Sequence, residues 1–209
     1  MTKSGQRRFY IYLALLCLLF ISTAIGCKPK AKDEQKETGA ELTTGPPKGG
    51  DFTLQAAEGP FSLHDMKGKV VLIFFGYTSC PTACPTSLET MAEAFSRLSV
   101  EELERVQGVF ISFDPERDTV DELKEYAGYF HPNIIGMSGK IEEVKEVAGR
   151  YGAFFIKALQ EESEMGYGFS HSTETYLVAD NGTLSEIYSE KTDAMTLSEA
   201  IRRHLWKRQ

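Results

Sequence analysis

The run Val70-Val71-Leu72-Ile73-Phe74-Phe75-Gly76, continuing through Tyr77-Thr78-Ser79-Cys80-Pro81-Thr82-Ala83-Cys84-Pro85, decides the architecture. Val70 to Phe75 is an unbroken β-branched and aromatic segment, the pattern of a strand covered on both faces. Beyond the two cysteines, Thr86-Ser87-Leu88-Glu89 has capping-box spacing, and Leu88, Met91, Ala92, Phe95 and Leu98 follow at helical intervals. The expectation is a buried strand, a turn bearing two thiols, and a helix opened by Thr86.

The alternation continues downstream. Val106 to Phe113 reads as a second buried strand, and Thr119-Val120-Asp121-Glu122 as a capping box leading a helix to about Phe130. Ile134 to Met137 is a short strand, and Ile141, Val144, Val147, Ala148 and Tyr151 form one helical stripe. Ala153 to Lys157, Thr173 to Val178 and Leu184 to Tyr188 read as strands, the last two joined at Asp180-Asn181-Gly182. Leu159 to Gly168 is polar and loop-like, and a final helix runs from about Met195 to Trp206. Upstream, Phe52-Thr53-Leu54 and Pro60-Phe61-Ser62-Leu63 flank Glu58-Gly59 as a small N-terminal hairpin. Strand–helix–strand units closed by a hairpin and a helix give an α/β fold of three layers around a mixed central sheet.

With 209 residues and 42% apolar content, the chain has material for one globular body plus an appendage. The appendage is N-terminal. Lys3, Arg7 and Arg8 precede an apolar run from Phe9 to Ile25, interrupted only by Ser22 and Thr23, and then Gly26-Cys27. That is the order of a secretory leader. A cysteine directly after Ala24-Ile25-Gly26 looks like a bacterial lipoprotein cleavage site, which would make Cys27 the lipidated first residue, although Ala24 stands where leucine is usual. The alternative is an uncleaved anchor at the short end of what a bilayer helix needs. Either reading places the body outside the cytoplasm on a membrane surface. Residues 28–50 are rich in Lys, Glu, Thr, Gly and Pro and read as a linker, so the domain proper is 51–209. The net charge of −7 falls further once the basic leader is removed, which argues against nucleic acid as a partner.

Four cysteines are present. Cys17 lies in the leader and Cys27 is the lipidation candidate, leaving Cys80 and Cys84 as the domain's thiols. They follow the carboxyl end of a buried strand, where α/β sheets build sites. Three intervening residues place the thiols about one helical turn apart, so both sulfurs can face one point. A helix N-terminus favours the thiolate that metals and disulfide exchange both require. Two thiolates are soft donors suited to Cu(I) or Zn(II), and structural zinc normally wants four protein ligands. Of the four histidines, His204 sits among Arg202, Arg203 and Lys207 and reads as a solvated helix-end residue. His131 precedes Pro132 in a turn and His64 neighbours Asp65. His171 stands in a polar loop, Gly168 to Thr173, entering a strand, where its ring can project over the end of the sheet; taken alone it is an ordinary loop residue. On spacing alone, Cys80 and Cys84 fit a plain disulfide as well as a metal or redox pair.

Taken together, Phe74 to Thr86, then Asp114-Pro115-Glu116-Arg117-Asp118-Thr119, then His171-Ser172-Thr173 with Tyr176-Leu177-Val178 and Asp180-Asn181-Gly182, resemble the Sco/SenC family, in order, from about Asp51 onward. The resemblance implies a thioredoxin-like fold and one copper ion, Cu(I) or Cu(II), held by Cys80, Cys84 and His171. It implies an assembly factor that delivers copper to, or reduces the cysteines of, the dinuclear copper centre of cytochrome c oxidase. The partners would be that enzyme's copper-bearing subunit and other copper chaperones or thiol reductases, and Cys80 and Cys84 would double as a redox disulfide. Asp114 and Asp118 match the family's acidic motif; they either add charge near the copper or orient a partner, or they shape the turn before the Thr119 helix. The competing readings are a metal-independent thiol–disulfide oxidoreductase, against which the three-residue spacing counts, and a peroxidase using Cys80.

Overall fold

The structure, a computed structural model, describes residues 46–159 and 166–206, all within the compact unit Glu37–Gln209. The leader with Cys17 and Cys27, and most of the linker, lie outside the described residues. Among those described, no helix is long and apolar enough to cross a membrane.

The strands are β1 (Thr53–Ala56), β2 (Gly59–Ser62), β3 (Val70–Gly76), β4 (Val106–Ser112), β5 (Ile134–Ser138), β6 (Phe155–Leu159), β7 (Tyr167–His171), β8 (Thr175–Val178) and β9 (Leu184–Tyr188). The helices are α1 (Ala83–Ser96), the single turn α2 (Val100–Leu103), α3 (Val120–Phe130), α4 (Ile141–Tyr151) and α5 (Ala194–Trp206). Seven strands form one mixed sheet in the order β2-β1-β5-β4-β3-β8-β9. Its centre is parallel, with Phe74 opposite Phe110 and Gly108 opposite Ile134, while β1 and β8 run antiparallel on either side. β3 and β4 are buried at every position, β3 as an unbroken apolar run and β4 with Gln107 and Ser112 buried among its apolar residues.

Period-two alternation sorts the sheet's side chains into two layers. Phe74 and Phe110 face α1 and α3, where Tyr126 packs on Phe110, Met91 and Phe95 lie against Gly108, and α5 packs on α1. Phe75 and Tyr176 face the opposite layer, where Tyr151 of α4 packs on both rings. Gly136 permits the close seating of α3: a Cβ there would meet the Leu123 carbonyl oxygen at 2.2 Å. Both capping-box contacts at Thr119 are made, with Glu122.

Three expectations are corrected. α1 begins at Ala83, not after Thr86: Pro85 lies in the first turn, where its missing N–H costs nothing, and the Thr86 amide already donates to the Thr82 carbonyl. The stretch before His171 is not all loop, since Tyr167 to His171 form β7, paired antiparallel with β6 in a separate two-stranded sheet. His204 is not solvated; it is buried on the apolar face of α5 and its Nε2 lies 2.7 Å from a Glu186 carboxylate oxygen.

Candidate metal centre

β3 ends at Gly76, and the next six residues cross from the sheet into α1. Gly76 is needed for this crossing: a Cβ on it would stand 2.6 Å from Cys84 Sγ and 2.8 Å from the Phe110 ring. The absence of a side chain lets the cysteine sulfur lie directly against the strand end. Cys80 closes a turn by donating its amide to the Tyr77 carbonyl, and the Cys84 amide approaches Cys80 Sγ at 3.4 Å. The two cysteines are free thiols; Cys84 is fully enclosed and Cys80 keeps 8% of its surface, making it the outer of the pair.

His171 arrives from the other layer, at the end of β7. Its Nε2 lies 3.9 Å from Cys80 Sγ and 3.9 Å from Cys84 Sγ. Its Nδ1 lies 2.7 Å from the Ser172 carbonyl oxygen. A carbonyl only accepts, so Nδ1 carries the proton and donates, and the Nε2 lone pair faces the sulfurs. The three donor atoms all lie within 4.8 Å of one another, the only such grouping of three or more His, Cys, Asp or Glu among the described residues. Tyr77 and Phe113 wall the imidazole, at ring-centroid distances of 5.8 and 5.2 Å.

The two thiols are electrostatically unequal. A hydrogen bond from Cys84 holds Cys80 well below the ordinary thiol range against the opposing effect of burial. The same hydrogen bond, burial and the neighbouring Cys80 charge push Cys84 far upward. The metal-free pair is therefore one thiolate, outer, and one thiol, inner.

Asp114 and Asp118 are buried beside this centre without joining it. Asp118 accepts from the Thr78 amide at 3.0 Å and from the hydroxyls of Thr78 and Ser112. It thereby ties the cysteine-bearing turn to the end of β4. Asp114 pairs with Arg117 and accepts from the Tyr167 hydroxyl at 2.8 Å. The two carboxylates thus do more than shape the turn before α3: one fixes the cysteine loop, the other reaches the histidine strand. Thr78, Ser112, Ser172 and Tyr167, which complete these contacts, were not singled out from the sequence. The alternation of Tyr167, Phe169 and His171 was the available signal for β7, diluted by Gly168 and Ser170 between them.

Residues 40–206 match the SCO1/SenC family model. The chain belongs to the SCO1/SenC family. It is 40% identical over 135 residues to an SCO2-like protein of Rickettsia conorii, covering 64% of this chain and 65% of that protein. The structure is similar to that of Arabidopsis thaliana ScoI with copper bound, with a TM-score of 0.67 and 34% identity over 75% of this chain and 97% of that one. It is similar also to a SCO1/SenC family lipoprotein from Bacillus anthracis, with a TM-score of 0.60 and 26% identity over 81% of this chain and 98% of that one. The chain spans 59 to 65% of the length of the curated relatives it first matches.

Proposed function

We propose that this member of the SCO1/SenC family binds one copper ion through Cys80, Cys84 and His171. In this reading it serves assembly of the dinuclear copper centre of cytochrome c oxidase, delivering copper to that centre or reducing its cysteines. The observation that carries the reading is the convergence of two sulfurs and a lone-pair-bearing imidazole nitrogen at the end of β3. Two soft sulfurs and one imidazole fit copper, and three donors fall short of the four that structural zinc prefers. Copper here is cargo. A site with an outer thiolate suits stepwise surrender of the ion to a partner's thiols, because Cys80 is the donor a partner reaches first.

The same asymmetry supports the reductase role. Cys80 thiolate would attack one sulfur of a partner disulfide, forming a mixed disulfide and releasing the partner's other sulfur as thiolate. Cys84, giving its proton to that leaving thiolate, would then attack Cys80 Sγ, form the Cys80–Cys84 disulfide and free the second partner sulfur. The chain's thiolate and thiol are oxidised to the disulfide, and the partner's disulfide is reduced to one thiol and one thiolate. A metal-independent oxidoreductase would use the same pair without His171. We further propose that residues 1–27 hold either a lipoprotein leader cleaved before a lipidated Cys27 or a membrane anchor, and that residues 28–50 tether the body to the extracytoplasmic membrane face.

The test is copper stoichiometry on the reduced full chain, with Cys80→Ala, Cys84→Ala and His171→Ala beside it. The reading expects one copper per chain and thiolate-to-copper absorption that each substitution abolishes or alters. Exchange with a disulfide substrate unchanged by His171→Ala, with no copper bound by the parent chain, would move the assignment to the oxidoreductase.

A further inference from the structure

The β6–β7 hairpin brings one of the three proposed copper donors yet, among the described residues, shares no ladder hydrogen bonds with the seven-stranded sheet. On its inner side Phe155 and Phe169 pack on Phe113, at centroid distances of 4.5 and 4.9 Å. Beside that packing, a cleft of about 130 Å³ lies between the hairpin and the loop after β4, lined by Phe113, Asp114, Glu116, Lys157 and Phe169 among others. Across such a gap apolar contact alone seats an element loosely.

A polar clasp spans the same gap. The Arg117 guanidinium carbon lies 3.8 Å from the centroid of the Tyr167 ring and Lys157 Nζ lies 3.7 Å from it. Both cationic groups therefore pack against the Tyr167 ring. Arg117 donates to the Tyr167 carbonyl at 3.2 Å. The Tyr167 hydroxyl donates to Asp114 at 2.8 Å and lies 3.2 Å from Glu116, which pairs with Lys157 at 2.6 Å. Arg117, Asp114 and Glu116 belong to the loop between β4 and α3; Tyr167 and Lys157 belong to the hairpin. The clasp joins the two.

We infer that Tyr167, held by Arg117 and Lys157, is a positioning residue that sets where His171 Nε2 stands relative to Cys80 and Cys84. Tyr167, Phe169 and His171 lie on one face of β7, so a strand pinned at its first residue and packed at its third presents its fifth in a fixed place. Partners that orient a metal-binding histidine without touching the ion typically change affinity by about 10- to 100-fold when removed. The inference rests on the copper reading above.

The experiment titrates the full chain with Cu(II), and with Cu(I) against a chromophoric chelator, for the parent, Tyr167→Leu, Tyr167→Phe, Lys157→Met and His171→Ala. Thermal midpoints of the metal-free proteins are recorded alongside. The inference expects Tyr167→Leu and Lys157→Met to weaken copper binding about tenfold and to move the thiolate-to-copper band toward that of His171→Ala. Tyr167→Phe, which keeps the ring against the cations, should recover most of both. Lys157 is partly exposed, so Lys157→Met carries the test even if Tyr167→Leu fails to fold. Parental affinity and spectrum in Lys157→Met, or in a folded Tyr167→Leu, with His171→Ala impaired, would overturn the inference and leave the copper reading standing. A parent chain that binds no copper would overturn both.

Discussion

The two halves of the candidate centre are built differently. The cysteine half is part of the main sheet: β3 is buried throughout, Gly76 admits Cys84 Sγ against the strand end, and Asp118 ties Thr78 back to β4. The histidine half rides on a two-stranded satellite held by aromatic rings, by Ser172 bridging to Phe154, and by the Tyr167 clasp. The sulfurs are therefore placed by the fold's most cooperative element, and the imidazole by contacts that can give way locally. A centre built this way can release one donor while keeping the other two in register, which suits an ion that must be handed on.

Phe113→Ala should have the largest effect, because Phe113 meets Tyr77, Phe155, Phe169 and His171 at once. A loss of about 3–5 kcal/mol is expected. Hydrogen exchange should then show residues 155–159 and 167–171 losing protection ahead of 70–76 and 106–112. Simultaneous loss in all four segments would break the distinction between sheet and satellite.

Gly76→Ala strikes the other half. The added methyl would collide with Cys84 Sγ and the Phe110 ring, costing roughly 1–3 kcal/mol. The displaced sulfur should also weaken copper binding, and parental affinity would mean that Cys84 does not depend on the strand end for its position.

Thr119→Ala removes one arm of the α3 capping box, which is outside the centre, and should cost about 1 kcal/mol. Urea midpoints would register the loss, while copper affinity should not move. A fall in affinity would show that the centre responds to global stability, not to its own supports.

The smallest expected effect is a change that should hardly occur. Cys80 is depressed by the hydrogen bond from Cys84, so it is already thiolate below neutral pH, and its alkylation by iodoacetamide should stay nearly constant between pH 5 and 8. Cys84, raised and enclosed, should remain unmodified across that range. Cys84→Ala removes the donor and should restore a steep rise of Cys80 reactivity with pH. A steep rise in the parent chain would contradict the thiolate–thiol assignment.

How legible these halves were in the sequence follows the same division. The cysteine half is local: an apolar run, two thiols one turn apart and a helical stripe lie within consecutive residues, and only the helix start was misplaced, because Thr86 offered a better-looking cap than Pro85 admits. The histidine half is nonlocal. β7 faces its own satellite partner, alternates rings with Gly168 and Ser170, and so resembles a polar loop; His171 gained meaning only through family resemblance. His204 shows the reverse error. Its basic neighbours suggested solvent, whereas its spacing from Leu197, Ala200 and Ile201 already put it on the buried stripe that meets Glu186.

The central claim is that one ion is held by two sulfurs from the sheet side and one nitrogen from the satellite. X-ray absorption at the copper edge of the Cu(I)-loaded full chain tests it most directly, with His171→Ala as the comparison. The account predicts a shell of two sulfurs and one nitrogen in the parent and loss of the nitrogen in the variant. A sulfur-only shell in the parent, or an unchanged spectrum in His171→Ala, would contradict it.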